Sequence, residues 1–376
     1  MNRLVLIMCF IVLSFCTIKL AAVEEYFLDR RYNDVTFLMT HNSTSLRSES
    51  TFLGDAMRKI ASFLPNEFPF SGLRDKVYAA IKTITLQDPN IVADQERDIS
   101  AQLRDGVRAF KLPLHFADTD NPAKSDIFVC HTLMVRQIDE LIKEAENKLS
   151  FIPIKKIREA LLKPLYEFRD NPCQIDSTRV SLVQVFSLLN QWLEKNPQEV
   201  IGIYLDVGLA EKELAKATMQ LILKNSGLDS KKYVYTQGPW PTLRTMIKTN
   251  KRVIVMADCE SWRDLGFAFT KDIAFGSNYS YKEPEAVYAD TNNPQIAYGQ
   301  IGVNQLFIVD NYTTPLISGR VVHAQQINRY EPLVKRVLNY EKLANRPVNY
   351  VMVDFYNEPN NDAIKVVADI NRRMKF

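Results

Sequence analysis

The feature that most constrains this chain is a recurrent unit, a short apolar run that stops at a polar residue. Val35–Thr40 stops at His41, Gly106–Phe110 leads to Lys111, and Ile127–Cys130 stops at His131. Val200–Leu205 stops at Asp206, Arg252–Ala257 at Asp258, Leu306–Val309 at Asp310 and Tyr350–Val353 at Asp354. Each run has the length of a strand, is rich in β-branched residues and is almost continuously apolar. That pattern suits strands of a parallel sheet covered on both faces. Helical patterns lie between several of them. Ser181–Glu194 puts Leu182, Val185, Phe186, Leu189 and Trp192 on one face, and Tyr330–Leu343 and Ala363–Met374 behave similarly. The alternation predicts an α/β chain. Seven candidate strands with polar carboxyl ends favour a (β/α)8-type barrel over an open sheet, with the chemistry at the rim those ends form.

The first 22 residues read as a secretory leader. Arg3 supplies the positive start, Leu4–Ile18 the apolar run, and Ala21 and Ala22 the small residues before a cut. The run is shorter than the about 20 apolar residues of a membrane span. The expectation is a secreted or extracytoplasmic protein with one barrel domain over residues 23–376. Two stretches, about 46–93 and 135–172, interrupt the alternation and are expected to carry helices of their own. Phe63, Phe68 and Phe70 in the first either pack those helices or make a transient contact with a membrane surface. Basic and acidic residues nearly balance, 47 against 44, so charge gives no case for a nucleic-acid partner. Cys9 and Cys16 fall in the leader. Of Cys130, Cys173 and Cys259, two can pair in an oxidising compartment and one is left over. Asn42-Ser43-Thr44, Asn278-Tyr279-Ser280 and Asn311-Tyr312-Thr313 are glycosylation triplets for a eukaryotic host.

His41 and His131 are two of only four histidines, and both end strand candidates. Cleaving a phosphodiester by internal attack needs a base for the attacking hydroxyl, an acid for the leaving oxygen and positive charge beside the phosphate. Two imidazoles suit the first two tasks near neutral pH.

The blocks Thr40-His41-Asn42-Ser43, Gln102-Leu103-Arg104-Asp105-Gly106-Val107-Arg108 and Cys130-His131-Thr132 resemble those of the X domain of phosphatidylinositol-specific phospholipases C. Trp192–Val200, Trp240-Pro241-Thr242, Asn250–Val255 and Pro347–Tyr356 look closest to the PLC-like phosphodiesterase branch of plants, fungi and bacteria. The resemblance implies a distorted TIM barrel and a phosphoric diester hydrolase or lyase acting on a phosphatidylinositol-like lipid or inositol phosphate. It implies His41 as the base at the inositol 2-hydroxyl and His131 as the acid at the leaving oxygen. It puts Asn42 and Asp206 at positions that meet metal or phosphate, and Cys130 and Cys173 where that branch carries cysteines, hence a Cys130–Cys173 disulfide.

The second strand departs from the pattern. Calcium-dependent members resemble one another in carrying two carboxylates where this chain has Lys111 and Pro113. Neither residue ligates calcium through a carboxylate, so no cofactor and no tight calcium site are expected. Alternation puts residues 111, 113 and 115 on one face, where the Lys111 ammonium stands in for the missing cation or sits as an ordinary rim lysine. Closure would set the last strand beside the first, so Asp354 is expected to hold His41. Tyr356 is expected to meet the inositol ring. Asp258 and Asp310 are read as rim residues, His115 as a further polar candidate and His323 as remote. A catalytically impaired barrel that binds inositol or sugar phosphates is the alternative, and a phosphodiesterase for another diester ranks last.

Overall fold

The computed structural model describes residues 27–46, 93–116, 126–130, 179–207, 212–228, 239–279, 281–302, 305–314 and 320–373, with isolated positions between 139 and 166. Among the described residues there are ten strands: β1 Phe37–Thr40, β2 Ala109–Phe116, β3 Ile127–Val129, β4 Val180–Ser181, β5 Ile201–Val207, β6 Val253–Ala257, β7 Ala268–Phe269, β8 Ala274–Gly276, β9 Leu306–Asn311 and β10 Tyr350–Val353. Eight form one curled sheet in the order β7-β6-β5-β2-β1-β10-β9-β8, and every neighbour in that path is parallel. The expected α/β barrel of the distorted TIM type is what the chain adopts. The last strand does lie beside the first: Thr40 of β1 is in register with Val353 of β10 and Phe110 of β2.

One strand is placed differently from the sequence expectation. β3 does not join the barrel. It pairs antiparallel to the outer half of β2, with Leu114 opposite Val129, and β4 pairs antiparallel to β3. A short apolar run carries no signal of its direction, so its length and composition fit either role.

The helices bury the outside of the sheet. α1 Ile99–Arg104 is capped by Asp98, whose carboxylate accepts from the Ala101 N–H at 2.7 Å. α2 Leu182–Lys195 shows the predicted face, with Leu182, Val185, Phe186 and Leu189 buried. α3 Lys212–Ser226, α4 Leu243–Lys248, α5 Thr270–Ile273, α6 Pro284–Asn292, α7 Val321–Ile327, α8 Tyr330–Ala344 and α9 Asp362–Arg373 follow. The period of two along each strand then sorts the core into two layers. Leu38, Phe110, Ile203, Val255, Val309 and Val351 point outward and pack with helix residues such as Phe186, Val337 and Val366. Phe37, Met39, Ala109, Ile254, Met256, Ile308, Tyr350 and Met352 point inward and fill the barrel with Tyr32 and Trp240.

The floor of the barrel explains one glycine. Tyr32 and Tyr350 meet hydroxyl to hydroxyl, and Tyr32 stacks on Trp240 at 5.4 Å and on Phe37 at 4.9 Å. A Cβ at Gly202 of β5 would lie 2.7 Å from the Tyr350 hydroxyl and 2.9 Å from that of Tyr32. Only a residue without a side chain leaves room for the pair.

Candidate active site

The inward parity of the core continues to the carboxyl ends of the strands. Positions 37 and 39 lead to His41, 109 to Lys111, 204 to Asp206, 254 and 256 to Asp258, 306 and 308 to Asp310, and 350 and 352 to Asp354. The polar ends therefore belong to the inner register of the barrel, which carries them to one mouth.

His41 and Asp354 form its base. His41 Nδ1 lies 2.9 Å from Asp354 Oδ1, and both side chains are buried. The Asp354 carboxyl is pushed well up, first by burial and then by the charge of Asp94, with Lys111 pulling the other way. A carboxyl so placed holds firmly to a shared proton or to a positively charged ring. The Tyr312 ring stacks on His41, centroids 3.9 Å apart and planes 8° from parallel. The turn that carries His41 is fixed from behind. Gln95 Nε2 donates to the His41 carbonyl at 2.8 Å, and Gln102 Nε2 to that of Ser43 at 2.8 Å. Thr40 Oγ1 donates to Gln102 Oε1 at 2.8 Å.

Lys111 supplies the positive charge. Its Nζ lies 3.2 Å from Asp206 Oδ2 and 5.4 Å from the Tyr204 ring centroid. Burial by itself would lower the ammonium. The carboxylates of Asp206 and Asp310, then Asp258, outweigh that and hold it above its ordinary value. Asp310 is pushed up to about 6 by burial, against the pull of Lys111. Asp258 is also pushed up, by burial and by Asp206, although Tyr204 donates to it at 2.9 Å. A lysine ringed by three acids remains a cation, the requirement for stabilising a phosphate.

Several expectations need correction. Tyr356 does not face the mouth. It is fully buried in the outer core, and its hydroxyl donates to Asp105 at 2.7 Å. Asn42 sits just past β1 in a left-handed turn at φ 45°, and its amide donates to Asp94 Oδ2 at 2.7 Å, so it braces a buried carboxylate. Asn311 is buried and donates to Asn328 at 2.9 Å, so neither it nor Asn42 is open to a glycan. Asp206 is the open member of its pair with Lys111, its side chain 41% exposed. Asp258 and Asp310, read only as rim residues, share the Lys111 charge. The His323 ring lies between Thr313 and Glu283, and Thr313 directly follows Tyr312, the residue stacked on His41. His131, Cys173, the leader and the Phe63, Phe68 and Phe70 cluster lie outside the described residues. Cys130, next to His131, donates its N–H to the Pro113 carbonyl at 3.3 Å, two residues along β2 from Lys111. Of the described cysteines, Cys259 is a free, buried thiol.

Tyr312, Asp94 and Gln95 were not foreseen. Tyr312 had a signal, since it continues the inward parity two residues beyond Asp310.

A family model described as PI-PLC X matches residues 170–371, more than half of the chain. The chain belongs to the PI-PLC X family. That match takes in Asp206, Asp258, Asp310 and Asp354, while His41 and Lys111 lie before it. Among solved structures, the chain is similar to the phosphatidylinositol-specific phospholipase C of Listeria monocytogenes. The identity is 14% and the TM-score 0.52, over 93% of this chain and 96% of that one. A pentafluoro-Phe form of the Staphylococcus aureus phosphatidylinositol-specific phospholipase C aligns at 11% identity and TM-score 0.48, over 91% and 94%. At such identities the likeness speaks for the PI-PLC X fold alone. No curated protein matches the chain. Among the described residues no helix is long and apolar enough to cross a membrane.

Proposed function

We propose that this protein is an exported phosphodiesterase that cleaves phosphatidylinositol-like diesters by internal attack, without a metal. The observation that carries the reading is the His41–Asp354 pair at 2.9 Å on the inner rim, with the charged Lys111 on the neighbouring strand.

The residues divide the reaction as follows. His41, its Nδ1 side held by Asp354, takes the proton of the inositol 2-hydroxyl on Nε2. The hydroxyl oxygen attacks phosphorus, the bond to the lipid oxygen breaks, and His131 gives that oxygen its proton. A cyclic inositol phosphate and a lipid alcohol leave. Lys111 neutralises the charge that grows on the phosphate oxygens, as a point charge rather than a bidentate fork. Asp206, exposed at the mouth, accepts from substrate hydroxyls. The proposal includes the leader at residues 1–22, transient contact with the lipid surface, and a Cys130–Cys173 disulfide. The free state of Cys259 supports that pairing.

The test is hydrolysis of phosphatidylinositol micelles with and without chelator. The reading expects turnover that survives chelation, vanishes in His41→Ala and falls about 10³–10⁴-fold in Asp354→Asn, where the ring loses its tautomer. Turnover that requires added calcium would overturn it. Binding of inositol phosphate with no turnover would favour the non-catalytic reading.

A further inference from the structure

Behind the His41–Asp354 pair lies a third group that the proposed reaction does not use. Asp94 is fully buried, and its carboxylate takes the Asn42 amide at 2.7 Å. A ligand atom from each of His41, Asp94 and Asp354 falls within 4.8 Å of the others, and all three residues are buried. Two carboxylates thus share one nearly dry space with an imidazole. Asn42 is a neutral donor, and Lys111, the ammonium felt by Asp354, is shared with Asp206, Asp310 and Asp258. Asp354 Oδ2 is buried and accepts no hydrogen bond. A buried carboxylate close to a second carboxylate in low dielectric is destabilising unless a proton or a cation joins them.

We propose that His41, Asp94 and Asp354 form a site for a single zinc ion, and that the bound ion silences His41. The donor set fits zinc. Imidazole nitrogen and carboxylate oxygen are both zinc donors, with ligand bonds of about 2.0–2.2 Å, and three of them leave a fourth position open. The 2.9 Å between His41 Nδ1 and Asp354 Oδ1 is a hydrogen bond that the ion would replace, the two atoms parting by about 0.5 Å to a tetrahedral ligand spacing. Calcium takes six to eight oxygens, which this nitrogen-containing set does not supply. The effect on chemistry follows from the tautomer. A neutral ring that ligates through Nδ1 carries its proton on Nε2, so no lone pair remains to accept from a hydroxyl. The silencing rests on the proposed role of His41; the binding does not.

The test is equilibrium dialysis of the metal-stripped full chain against zinc chloride, with bound zinc counted and no substrate present. A single zinc per chain is expected on the wild type and on His323→Gln, and none on Asp94→Asn or Asp354→Asn. No zinc on the wild type, or equal binding by Asp94→Asn, would overturn the site. If the variants do not fold, cobalt(II) titration of the wild type decides. Visible d–d bands that zinc then bleaches support the site, and a spectrum of aqueous cobalt alone refutes it. An inactive protein that still binds zinc would sink the proposed reaction and leave the site standing.

Discussion

Replacing Lys111 by Met keeps the length of the side chain and deletes the charge that Asp206, Asp310 and Asp258 share. Three groups respond. Asp206 is 41% exposed, so its pair with Lys111 is screened and worth no more than about 1 kcal/mol. Asp310 is 2% exposed, and its carboxyl already stands at about 6 with the ammonium present. Without Lys111 it climbs further, and at pH 7 protonation caps the added penalty at one pKa unit, about 1.4 kcal/mol. Asp258 is pushed in the same direction and adds to this. The sum is about 2–3 kcal/mol at pH 7, or roughly 3–4 °C in Tm for a domain of this size. Near pH 5 the wild-type Asp310 is already largely protonated, so most of its share disappears and the deficit shrinks to roughly 1 kcal/mol. Thermal melts of both proteins across this range test the reasoning, and chelator-treated activity on micelles should be lost in parallel. A deficit that is constant with pH, or that grows as pH falls, would refute the claim that Lys111 neutralises the acids.

Two other perturbations read the same structure. The folded state raises Asp310 from 3.8 to about 6, so it binds the proton more tightly than the unfolded chain. That contribution is full below about 3.8 and is lost as pH rises through about 6. At pH 7 Asp310→Asn should therefore stabilise by up to about 3 kcal/mol, with the gain gone near pH 4, as denaturant melts at the two pH values would show. Gly202→Ala should destabilise by about 1–3 kcal/mol by driving a methyl into the Tyr32–Tyr350 pair. Tyr350→Phe in the same chain, which removes the nearest hydroxyl, should recover part of that loss.

The long runs made six of the eight barrel strands legible, because four to six mostly apolar residues ending in a polar one carry a clear signal. β7 and β8, two and three residues long, are too short to show any period. β3 was legible as a strand but not in direction. At the site, His41, Lys111, Asp206 and Asp354 could be named because each continues the inward alternation of an evident strand. Tyr312 obeys the same rule and was overlooked. Asp94 could not be found this way. It lies 52 positions from Asn42, across an insertion, and only the fold brings the two carboxylates behind His41 together. Tyr356 misled because the residue two beyond Asp354 has already left the strand. The chain turns at Phe355, φ 44°, and sends the ring into the outer core.

The central claim is that a histidine steered by Asp354 drives internal attack on phosphorus, with a lysine in place of a metal. Phosphorus-31 NMR of phosphatidylinositol micelles with the chelated enzyme tests it most directly. A five-membered cyclic phosphate should appear as the first water-soluble product and be absent with His41→Ala. An acyclic inositol phosphate formed first, or a cyclic product formed only when calcium is restored, would contradict it.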